Sequence, residues 1–76
     1  MKRFEYLVAH QVDHRVLTAN GHWQGELEQD APDAASSCPD LQAYLAQAGA
    51  QGWELVTLDP EEKGSAVLYF KRERVG

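Results

Sequence analysis

Polar and apolar residues alternate from the start of the chain, placing Phe4, Tyr6 and Val8 on one side of a strand and Glu5, Leu7 and Ala9 on the other. The even-numbered series continues through His10, Val12, His14, Val16 and Thr18. One extended segment is therefore expected to run that far, with a bend or bulge along its length. Asn20-Gly21 follows, the dipeptide that best tolerates the two positive φ angles of a type I′ hairpin turn. A two-residue loop there pairs Thr18 with Trp23, Val16 with Gly25, Arg15 with Glu26 and His14 with Leu27. That register collects Val12, Val16, Trp23 and Leu27 on one face and Arg15, His22, Gln24 and Glu26 on the other.

Periodicity then stops. Residues 28–38 are small, polar and acidic, which predicts a mobile surface loop. A helix should begin near Pro39, capped by Ser37 or Cys38, with Asp40 in its first turn. Leu41, Tyr44, Leu45 and Ala48 recur at i, i+3, i+4 and i+7, one apolar stripe. Gly49-Ala-Gln-Gly52 comes next and admits two readings, a phosphate-cradling loop or a helix stop. Phosphate loops run from strand through glycine to a helix N-terminus. Here the helix comes first, so a helix stop is the expected role.

Two further strands are predicted, residues 53–58 and about 66–72, joined by Asp-Pro-Glu-Glu-Lys-Gly. Both carry apolar residues on both sides, such as Leu55 against Val56 and Val67 against Leu68. A strand of that kind expects cover on both faces. One short helix covers one face, leaving the other to the hairpin or to a second subunit.

Helix Leu41-Gln-Ala-Tyr-Leu-Ala-Gln-Ala, the run Gly52-Trp-Glu-Leu-Val56, the closing Phe70-Lys-Arg72 and the opening Phe4-Glu-Tyr-Leu-Val8 together resemble domain-of-unknown-function family 4177. The resemblance covers most of the chain apart from the acidic loop and the hairpin. It implies a small, mostly bacterial type of protein and a fold, with no activity and no catalytic residues to carry over.

Composition narrows the chemistry. The 76 residues form one domain, 1–76, with the acidic loop inside it. A chain this short buries only about 60% of its unfolded surface, so a thin core is expected, supported by oligomerisation or a metal. Cys38 is the sole cysteine, which excludes an internal disulfide and suits a reducing, cytoplasmic setting. The N-terminus lacks the apolar stretch of a signal peptide. No run approaches the roughly 18 apolar residues of a membrane span.

Net charge is −5, and Glu26, Glu28, Asp30, Asp33 and Asp40 are interrupted by no basic residue. An acidic domain repels phosphate backbones, so nucleic acid is an unfavoured partner. Arg72 and Arg74, with exposed aromatics, keep it as an alternative. His10, His14, His22 and Cys38 are the possible ligands for a metal or small molecule, against the plainer reading as ordinary histidines and a small loop residue. Cys38 precedes a helix start, which favours a thiolate, but nearby Asp40 opposes it and no histidine is tied to it by sequence. Glu61 and Glu62 read as a solvated turn. Most aromatics are core candidates; Trp23, on a hairpin the core does not obviously need, and Tyr69 are the candidate interface residues.

The expected fold is α+β: a small antiparallel sheet of three core strands, an N-terminal hairpin extension and one helix packed on one face. The last strand should lie between the first and the Trp53 strand. No cofactor, metal or catalytic constellation is indicated. The expectation is a non-enzymatic, self-associating or protein-binding module.

Overall fold

The computed structural model describes residues 2–74. Strand β1 (Phe4–Val12) is followed by β2 (Arg15–Ala19) and β3 (His22–Trp23). A 3-10 turn (Ala34–Ser37), helix α1 (Leu41–Ala50), β4 (Glu54–Pro60) and β5 (Ser65–Glu73) complete the chain. The strands form one antiparallel sheet in the order β3-β2-β1-β5-β4. The fold is thus α+β, with the last strand between the first and β4 as expected. The hairpin does not fold over the sheet; it widens it.

The long N-terminal segment is two strands, not one. Asp13 and His14 adopt φ angles of 50° and 65° and reverse the chain tightly, so that Val12 pairs with Arg15. No glycine marks this turn, which is why alternation alone reads straight through it. Gln11 supports the reversal, its side-chain oxygen accepting a hydrogen bond from the His14 N–H at 3.0 Å. A register shift beside His10 and Gln11 then sets Val16 opposite Gln11. Val16 is therefore fully buried on the helix side, whereas Val12 stays on the other face, 40% exposed. Their expected common face is not formed.

Asn20-Gly21 makes the expected turn, with φ of 50° and 81°, and sets Thr18 opposite Trp23. The Asn20 side chain also accepts the Val8 N–H at 2.8 Å, prolonging the pairing of β1 beyond the end of β2. The hairpin is shorter than expected. Beyond Gln24, the edge of β2 is taken by the chain entering the helix: the Val16 N–H donates to the Pro39 carbonyl and Arg15 bridges to Asp40. An edge offers one row of backbone groups, so the pairings of Arg15 with Glu26 and His14 with Leu27 do not occur.

Asp40, rather than Ser37 or Cys38, caps α1, its carboxylate accepting the Ala43 N–H at 2.7 Å. Tyr44 and Ala48 are buried against Leu7, Ala9, Val16, Ala19, Leu68 and Phe70, with Leu41, Leu45 and Trp53 packed around them. The Tyr44 and Phe70 rings meet edge to face, centroids 6.1 Å apart. At the C-terminus Gly52 has φ 87°; its N–H donates to Gly49 and that of Trp53 to Ala48. This paired closure needs a left-handed residue just past the helix, the role glycine fills without strain.

The acidic segment is not featureless. It contains the 3-10 turn and buries Ala34 and Cys38. Gly25 allows this segment to close on the sheet, since a Cβ there would meet the Ser37 hydroxyl and lie 2.9 Å from the Trp23 ring.

Candidate functional site

Pairing register divides the sheet into two faces, because residues directly opposite each other in an antiparallel ladder share a side. Leu7 opposes Phe70 and Ala9 opposes Leu68, and these four belong to the core beneath α1. Phe4, Tyr6, Val8, His10 and Val12 of β1 point the other way, with Glu73, Lys71, Tyr69, Val67 and Ser65 of β5 opposite them. Among the described residues no element packs over this second face, although Val67 within it is only 4% exposed, closed in by its neighbours on the sheet. Tyr6 is 64% exposed, Phe4 and Val12 are 40% exposed, and Tyr69 is 37% exposed. Polar and charged groups are interspersed with them: Lys71, Glu73 and Ser65 of β5 share this side, as do Glu54, Thr57 and Asp59 of the strand beyond, and His10 Nδ1 lies 3.4 Å from the Thr18 hydroxyl.

Strand β4 forms one margin of the sheet and is exposed along all seven residues. Leu55, Val56 and Leu58 are the apolar residues there, between 42% and 54% exposed. A register shift between Leu55 and Thr57, the terminal Pro60 and the charges of Glu54 and Asp59 all work against another strand joining this edge. The opposite margin is short, two residues of β3 backed by Asp40.

The residues singled out for chemistry do not converge. Among the described residues no group of three or more His, Cys, Asp or Glu side chains is placed to hold a metal ion. His10 lies on the uncovered face, His14 in the first turn and His22 on β3. Cys38 is 2% exposed, and burial pushes its thiol up from the ordinary value, only partly offset by the Arg15 guanidinium. Arg15 itself donates to the Cys38 carbonyl at 2.7 Å. A buried thiol held neutral is a packing residue, not a nucleophile. Glu61 and Glu62 are exposed between β4 and β5. The depression at the start of α1, about 340 Å³, is lined by His14, Asp40, Leu41, Gln42 and Leu45 and is open to solvent.

Two basic residues of β5 are engaged within the fold. Arg72 donates to the Gln51 carbonyl at 2.9 Å, pairs with Glu5 at 2.9 Å and stacks its guanidinium 4.2 Å from the Trp53 ring. The sequence presents Arg72 as a free cation; only the β1–β5 register brings Glu5 to it. Lys71 sits 4.9 Å from the Phe4 ring on the uncovered face. Trp23 is half-buried and its ring N–H donates to the Leu27 carbonyl at 2.8 Å, while Tyr69 lies outward on the uncovered face.

Among the described residues no helix is long and apolar enough to cross a membrane. No family model matches this chain, and no curated protein or solved structure is significantly similar to it.

Proposed function

We propose that the chain is a non-enzymatic cytoplasmic interaction module that self-associates through its sheet. The uncovered face carries this reading: Phe4, Tyr6, Val12 and Tyr69 stand exposed on one side of two long neighbouring strands, with Lys71, Glu73 and His10 among them. Exposed apolar groups gathered on one side and bordered by polar ones support an interaction surface more than scattered ones do. The small core points the same way, since association supplies burial that a chain of 76 residues lacks. The resemblance to domain-of-unknown-function family 4177 belongs to the same reading and adds no activity to it. The test is sedimentation velocity at micromolar concentration. A species about twice the 8.5 kDa chain mass is expected; a stable monomer across that range defeats the reading.

A further inference from the structure

The following inference rests on self-association and specifies its geometry. We infer that two copies stack through the faces turned away from α1, about a two-fold axis lying across the strands, so that β1 runs antiparallel over β1 of the second copy.

Side-chain size along the face selects this direction. Phe4 and Tyr6 stand at one end of β1, while the other end carries Val12 opposite Ser65. Antiparallel stacking lays the large end of each copy on the small end of the other. Parallel stacking sets Tyr6, the most exposed of these apolar residues at 64%, directly against its own copy.

Charge selects the same direction. Lys2, Arg3, Lys71, Arg72 and Arg74 lie where β1 begins and β5 ends, against Glu5, Glu54 and Glu73. The far end holds Asp13, Asp40, Asp59, Glu61 and Glu62 against Arg15 and Lys63. One end of the sheet is thus net positive and the other net negative. Reversing the second copy superposes unlike ends, and a parallel stack superposes like ones.

Pairing through the β4 edge has the opposite balance. The antiparallel register that sets Leu55 against Leu58 of a second copy also sets Glu54 against Asp59, twice per pair. In the stack the same two residues, which share the uncovered side with Lys71 and Val67, face each other only across the roughly 10 Å between sheets and at the exposed β4 margin, where water screens them. Strands β1 and β5 run nine residues, β4 seven and β2 five, so the face is about 30 Å at its longest, about 19 Å across and roughly 480 Å² in plan. That is below the ~800 Å² per partner of a standard interface and fits a small, reversible one.

Two sets of measurements test the geometry: sedimentation of the full chain with Tyr6→Glu and Leu58→Glu variants, and the distance between spin labels placed at position 63 of each copy. Both substituted residues are exposed, and Leu58, opposite Leu68, lies on the helix side of the sheet, so far-UV circular dichroism should report an unchanged fold. The expected result is a dimer that Tyr6→Glu dissociates at least tenfold more readily, that Leu58→Glu leaves intact, and whose labels lie about 30 Å apart. A dimer weakened by Leu58→Glu and not by Tyr6→Glu overturns this inference while leaving self-association standing. Labels within about half that distance indicate parallel stacking and overturn it likewise. A wild-type monomer overturns both.

Discussion

Cys38 and Tyr44 are titratable residues whose burial alters the protein without giving it chemistry. Burial raises the pKa of each from its ordinary value, 9.0 for the thiol and 10.0 for the phenol, with Arg15 partly opposing the shift at Cys38. Both groups are neutral when protonated, and the folded chain holds that proton to higher pH than the unfolded chain does. Their contribution to stability is therefore complete below the ordinary values and is lost as pH rises through the folded-state values. Thermal melts across the alkaline range should show Tm falling above pH 9. Cys38→Ala should flatten the first part of that fall, and Tyr44→Phe the later part. An alkaline profile unchanged in both variants removes burial as the cause. Slow alkylation of Cys38 in the folded chain, speeding on unfolding, follows from the same burial.

At the scale of elements, Gly49 and Gly52 look equivalent in sequence and are opposites in the structure. Gly52 is left-handed at φ 87° and closes the helix; Gly49 is helical, with open space where a Cβ would stand. Gly49→Ala should therefore stabilise by up to about 1 kcal/mol, through better helix propensity. Gly52→Ala should destabilise by about 1 kcal/mol, the cost of a left-handed alanine. Urea titrations of the two variants read the difference directly, and equal signs would mean the helix ends elsewhere. Elements with a local chemical signal were legible in the sequence: the Asn20-Gly21 turn, the stripe Leu41-Tyr44-Leu45-Ala48 and the glycine stop. The Asp13-His14 turn was not: both residues tolerate a left-handed backbone better than most, but no glycine accompanies them and an unbroken alternation ran across the turn. The cap was displaced to Asp40 because the helix starts after the segment that bridges β2, a tertiary contact with no local mark. The uncovered face was half legible: two-faced strands called for a second cover, but only the register shows that the hairpin widens the sheet instead of supplying it.

For the whole molecule, the sheet is unevenly loaded, and stability should follow that unevenness. Leu68 and Leu58 oppose each other across β5 and β4, yet Leu68 is fully buried under α1 and Leu58 is 42% exposed at the edge. A Leu→Ala change at a buried site costs about 2–5 kcal/mol, through lost burial and the cavity left behind. A chain of this length has in total roughly 4–11 kcal/mol of stability, at the usual per-residue rate. Leu68→Ala should thus remove a large part of it and lower the urea midpoint sharply, whereas Leu58→Ala should cost under about 1 kcal/mol. Neither leucine lies on the face proposed to join two copies, so midpoints of both variants should still rise with protein concentration, as mass action requires of a dimer. Tyr6→Glu should abolish that rise while leaving the monomer's own stability close to wild type. If Leu58→Ala instead removed the concentration dependence, the joining surface would be the β4 side of the sheet, and the face opposite the helix would have no part in it.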